Sequence, residues 1–118
     1  MAGALRRSQP DKLPNRAEQT LAGVLATLAP MFTYAGNGAF WIGPCASGKT
    51  RNPDFVDRRG RRVILMHGEF WHPKASAAIE TTDYEKKGWR VLVIWSKELQ
   101  IRKRPALQAR ITGFVTQQ

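Results

Sequence analysis

Two stretches of this chain are apolar at almost every position, Val63–Met66 and Trp89–Trp95. Strands of that kind are covered on both faces, so each is expected in the middle of a sheet. A helix-length segment, about Ala75–Lys87, lies between them, and Gly88 stops it. Strand, helix and strand in that order favour a parallel pair joined by a crossover. Within Arg62–His67, alternation puts Val63, Leu65 and His67 on one face and Ile64 and Met66 on the other. Asp54–Asp57 and the turn Arg58–Gly60 supply the strand before it.

The flanking segments complete an α/β domain, a mixed central β-sheet flanked by helices. Asn15 is an N-cap for a helix over Asn15–Leu28, whose Leu21, Val24, Leu25 and Leu28 form one stripe. Pro30 closes it. Met31–Ile42 reads as a hairpin, with MFTYA and AFWI as strands and GNG as the turn. Pro105 opens a last helix with Leu107, Ile111, Phe114 and Val115 at helical spacing, packed on the sheet or on a second subunit. Residues 1–14 are expected to be a flexible basic arm carrying Arg6, Arg7 and Lys12, and 15–118 a single domain.

Charge narrows the class of partner. The 118 residues carry 19 Lys and Arg against 9 Asp and Glu, a formal net charge of +10. Such a surface attracts polyanions, and nucleic acid is the expected partner. No apolar run approaches the roughly 20 residues a membrane span needs, and no helix is both basic and strongly apolar on one face, so no membrane partner is expected. The first residues lack the apolar core of a signal peptide, so a cytoplasmic location is expected. The single cysteine, Cys45, excludes an internal disulfide and a multi-cysteine zinc site.

Gly43–Thr50, GPCASGKT, matches the phosphate-binding loop pattern G-x-x-x-x-G-K-T letter for letter. That loop works by starting a helix at its Lys-Thr, and here Arg51, Asn52 and Pro53 follow. A flexible loop offering Ser47, Lys49 and Arg51 to phosphates accounts for it better. Lys49 and Arg51, with Arg58 and Arg59 from the basic turn, are the expected DNA contacts.

The chemistry is expected where Asp54 on one strand meets the end of its neighbour, which runs into both histidines, His67 and His72. An oxygen-ligand acid beside an imidazole suits a hard cation next to a base. In hydrolysis of a phosphodiester, Asp54 is expected to bind Mg²⁺, helped by a backbone carbonyl near Met66 or by water, and a neutral histidine, His72 by preference, to take the proton of the attacking water. His67 and Glu18 complete the polar network. Glu18 has a second reading, as the capping-box partner of Asn15. Asp83 is the expected late acid, with Glu80 as the competing choice; Asp83 also reads as an exposed helix charge paired with Lys86 or Lys87. Phe70 and Trp71 either close the core or wedge between bases.

NPDFV, the HGEFWH block, and GWRVLVIW followed by KEL resemble the very short patch repair endonucleases and the phage-type homing endonucleases known by the motif E-D-x-H-D. Both belong to the PD-(D/E)xK nuclease superfamily. The resemblance covers roughly Asn15–Leu99 and implies a restriction-endonuclease-like fold. It implies Asp54 as the metal-binding acid, His72 as the base, His67 as an active-site partner, Glu18 as the first-helix glutamate and Asp83 as the late acid. It implies Phe70 and Trp71 as aromatics that intercalate into DNA. There are departures. Glu69 stands where the repair enzymes have a zinc-binding cysteine, and usually the homing relatives have an acid there. The superfamily lysine is absent from Val63–His67, and Ser96 stands where relatives often have a glutamate. The expected function is a Mg²⁺-dependent endonuclease of homing type acting on double-stranded DNA, as a homodimer if both strands are cut. The alternatives are a mismatch-nicking repair enzyme or a non-catalytic nucleic-acid-binding module of the same fold.

Overall fold

A computed structural model describes residues 14–68 and 74–117. The order is helix α1 (Arg16–Leu28), strands β1 (Thr33–Tyr34), β2 (Phe55–Asp57) and β3 (Arg62–His67), helix α2 (Lys74–Lys86), strand β4 (Arg90–Trp95), two short 3-10 segments (Ser96–Leu99 and Ile101–Lys103) and helix α3 (Arg104–Thr116). The strands form one sheet in the order β1-β2-β3-β4. β1 and β3 each run antiparallel to β2, while β3 and β4 are parallel from Arg62↔Arg90 to His67↔Trp95. The chain is therefore an α/β protein with a mixed sheet. Among the described residues no helix is long and apolar enough to cross a membrane.

The period-2 reading of β3 describes how the core divides. Ile64 packs with Phe55 and Ile94 against Leu21 and Leu25 of α1 and Leu107, Ile111 and Phe114 of α3. Val63 and Leu65 face the other side, with Val56, Trp89, Ile42, Cys45 and Tyr84 of α2. Leu21, Ile64, Ile94, Leu107 and Ile111 are almost wholly buried. Truncating any one of them to Ala is expected to cost about 2–5 kcal/mol. The crossover α2 buries Ala77 and Tyr84, and Tyr84 packs into the core on this side of the sheet. Gly88, at φ 86°, ends it in the left-handed conformation that glycine adopts without a Cβ penalty.

The hairpin expected over Met31–Ile42 does not form. β1 is only Thr33–Tyr34, and it pairs with β2 instead of with residues 39–42. The N–H groups of Ala35 and Gly36 both donate to the Asp54 carbonyl, at 2.8 and 3.1 Å. Ile42 meets Arg51 in an isolated bridge. Asn52 locks this arrangement, its side-chain amide donating to the carbonyls of Ala35 and Phe40 at 2.7 and 2.8 Å. The longer-range pairing wins because it lets Phe32 and Phe55 enter the same core.

β4 was expected to be central and is an edge strand. Side chains guard its open side: Arg110 of α3 donates to the Val93 carbonyl at 3.0 Å, and Glu98 accepts from the Trp95 N–H at 2.9 Å. Glu98 and Arg110 also pair with each other. Satisfying edge groups in this way allows so apolar a strand to lie at a border. Gly43–Thr50 stays a loop and no helix starts at Lys49, so the phosphate-loop geometry is not formed.

Candidate active site

Asp54 stands just before β2, beside the C-terminal end of β3. Its Oδ2 accepts the Met66 N–H at 2.8 Å. In an extended strand a residue's N–H and C=O leave on the same side, so the Met66 carbonyl shares that edge. The Asp54 carboxyl is pushed up to about 8, chiefly by burial. The Met66 N–H opposes this, while a hydrogen bond with Glu18 and the charges of Glu18 and Glu80 add to it. None of these influences is a cation.

Glu18 fulfils both of its readings at once. Its Oε1 accepts the Asn15 N–H at 3.0 Å while Asn15 Oδ1 accepts the Glu18 N–H at 2.8 Å, a complete capping box. The same Oε1 accepts the Tyr34 hydroxyl at 3.2 Å, and the carboxyl reaches Asp54. The cap fixes the rotamer that aims Glu18 inward. Burial, then Glu18, raises the Tyr34 phenol to about 12.

On the α2 side, Glu80 Oε1 lies 3.0 Å from His67 Nε2. His67 is buried and its ring meets the edge of Trp95, with centroids 5.4 Å apart. Tyr84, one turn beyond Glu80, is fully buried, and its hydroxyl has no hydrogen-bond partner among the described residues. Burial first, then Glu80 and Asp54, raises this phenol strongly. Both tyrosines of the chain thus attend one acid cluster.

Asp83 points elsewhere. Its carboxylate accepts from the Ser47 N–H at 3.1 Å, from the Ser47 hydroxyl, and from Arg51 Nε and Nη2 at 3.0 and 2.9 Å. The Ser47 hydroxyl, then Arg51, holds Asp83 below the usual carboxylate range. Asp83 is buried, so it is not the exposed partner of Lys86 or Lys87 either. This contact pins the Gly43–Thr50 loop onto α2. Arg51 is thereby engaged inside the protein, and the Arg58 guanidinium lies 4.5 Å over the Phe40 ring. Lys49 and Arg59 are exposed, with no side-chain hydrogen bond or ion pair among the described residues. Phe70, Trp71 and His72 lie outside the described residues, as does most of the basic arm.

The sequence reading missed Tyr34 and Tyr84 and ranked Glu80 below Asp83. Tyr84 was readable as the i+4 neighbour of Glu80 on one helix face; Tyr34 carried no signal beyond its β-propensity.

The cluster supplies a hydrogen-bonded pair of carboxyl groups, Asp54 and Glu18, and a further carboxylate, Glu80, on an imidazole. Among the described residues no three or more His, Cys, Asp or Glu side chains stand close enough to hold a metal ion. The donor chemistry still fits a hard divalent cation: Asp54, Glu18 and the Met66 carbonyl offer oxygen, with water for the rest. Burial is what chiefly raises the Asp54 carboxyl, with the charges of Glu18 and Glu80 adding to it, and a bound cation would favour its ionised form. Comparison of the chain with protein-family models, curated proteins and solved structures gives no match.

Proposed function

We propose that the protein is a Mg²⁺-dependent endonuclease that hydrolyses phosphodiester bonds of double-stranded DNA. One observation carries the reading: in a chain of net charge +10, carboxyl groups are crowded at one sheet end beside a buried histidine. Charges that serve folding alone are normally paired, and a crowd of one sign in a basic protein points to a site that takes a cation and then an anion. Asp54, with Glu18 and the Met66 carbonyl, would hold the Mg²⁺. The ion would supply stabilisation of charge on the phosphate and on the departing oxygen.

The protein's own groups do the rest. The Met66 N–H orients one oxygen of Asp54, and Asn15 and Tyr34 orient Glu18. Glu80 holds the His67 imidazole and takes the place expected of Asp83 as the late acid. His72, five residues beyond His67, is the proposed base that takes the proton of the attacking water. One such site cuts one strand, so a double-strand break requires a homodimer. The fold family proposed is PD-(D/E)xK, with the homing type ahead of the mismatch-nicking type because Glu69 replaces the zinc-binding cysteine.

Nicking of supercoiled plasmid in Mg²⁺ and not in EDTA tests the reading. Asp54→Ala and His72→Ala should abolish nicking while duplex binding persists; nicking that survives both removes the site. The second reading, a binding module without catalysis, draws on the lack of a three-ligand group among the described residues. It predicts duplex binding with no nicking in any divalent cation.

A further inference from the structure

The opposite end of the sheet is built around arginines. The β2–β3 turn contributes Arg58, Arg59 and Arg61, and the end of α2 contributes Lys86 and Lys87. An aromatic pair stiffens the turn: Phe40 and Trp89 meet edge to face with centroids 5.6 Å apart. The Arg58 guanidinium lies 4.5 Å over Phe40 and that of Arg61 4.7 Å over Trp89. Arg61 also donates to the carbonyls of Lys87 at 2.7 Å and Gly88 at 3.1 Å, which ties the turn to the end of α2. That role is structural, since a cation belongs at a helix C-terminus.

Arg59, Lys86 and Lys87 are different. They are exposed on this stiffened frame and make no side-chain hydrogen bond or ion pair among the described residues. The acids nearby offset these three cations only in part. Asp57 is buried and spent on Arg62, at 3.0 and 2.9 Å, and on the Gly60 N–H. That leaves exposed Glu85. The exposed large apolar residues, Met31, Trp41, Ile79 and Ile101, lie on neither the turn nor the last turn of α2. A face that is cationic without apolar anchors fits a phosphate backbone better than a bilayer.

We infer that the β2–β3 turn and the end of α2 form a docking face for the phosphate backbone of a nucleic acid, separate from the Asp54 cluster. β3 has six residues, so the two ends stand roughly 17 Å apart. That is about half the rise of one duplex turn. The inference shares with the proposed function only the nucleic-acid partner, and needs nothing of the cleavage chemistry.

The test is binding of a fluorescently labelled duplex to the full chain in EDTA, by anisotropy across a salt series. Replacing Arg59, Lys86 and Lys87 together by Ala should flatten the slope of log K against log salt by about 2–3. It should also weaken binding at low salt by at least about tenfold. Removing Arg16, Lys97 and Arg102 together, the same charge from other surfaces, should change the slope by less than about 1. Arg59→Lys alone, which keeps the charge, should keep the slope. An unchanged slope in the first triple variant, or equal losses in both, overturns the face and leaves the nicking result untouched. Loss of binding to phosphatidylserine vesicles, with duplex binding unmoved, overturns the nucleic-acid assignment.

Discussion

The two ends of the sheet handle charge in opposite ways. At the turn, buried Asp57 and half-buried Arg62 satisfy each other, and Arg62 donates its remaining group to the Val115 carbonyl at 2.6 Å. Gly60 makes room for them: a Cβ there would meet Asp57 Oδ2 at 2.3 Å. At the other end burial raises Asp54, Glu18 shares a hydrogen bond with it, and the charge of Glu80, which holds His67, adds to the rise. The first arrangement is what a chain does with charge for the sake of folding. The second is held in place by the Met66 N–H on Asp54 and the capping box on Glu18. That contrast is what the proposed function rests on.

The largest effect that would break this contrast is on cleavage. Asp54→Ala should lower nicking by about 10²–10⁴-fold, in the range expected for a group essential to the chemistry. Its thermal midpoint should not fall, since a crowded carboxyl has been removed; a marked drop would mean that Asp54 is structural. Arg62→Ala should do the converse, costing about 3–5 kcal/mol by stranding Asp57 inside the protein, as read by urea denaturation. Glu80→Gln should reduce nicking by about 10–100-fold, the usual scale for a group that orients another, with little change in stability.

Acidity sharpens the same comparison. The Asp54 carboxyl is raised in the folded protein from 3.8 to about 8, so between those values the native state holds a proton that the unfolded chain has released. Stability of the metal-free protein should therefore decline as pH rises from about 4 to about 8, and Asp54→Asn should lose that slope. Added Mg²⁺ should restore stability more at pH 8 than at pH 5. Equal slopes in wild type and variant would show that rise to be absent. The smallest effect belongs to Tyr84→Phe, which deletes a buried hydroxyl without a partner among the described residues. Its stability should stay within about 1 kcal/mol of wild type or rise.

What the sequence disclosed follows the range of the interactions. Alternation in Val63–His67 told which residue faces which core, because the pleat forces it. Asn15 and Glu18 announced their helix start, because a capping box is local. The partner of β1 was hidden: MFTYA and AFWI carry the right propensities, and only Asn52 and the Asp54 carbonyl decide that they do not pair. β4 read as central because its guards, Glu98 and Arg110, belong to other elements. Glu80 and Asp83 sit three residues apart on one helix, and periodicity cannot rank them. Ser47 and Arg51 claim one, and His67 claims the other.

The clasp of Glu98 and Arg110 over β4 also limits how copies of this chain assemble. Main-chain positions at Val93 and Trp95 that a neighbouring molecule would need for a continuous ribbon are already taken. The far border, β1, is two residues long and gives little to grip. Any pairing of copies through the described residues is thus steered toward helices and loops, and among them the ribbon stops at four members.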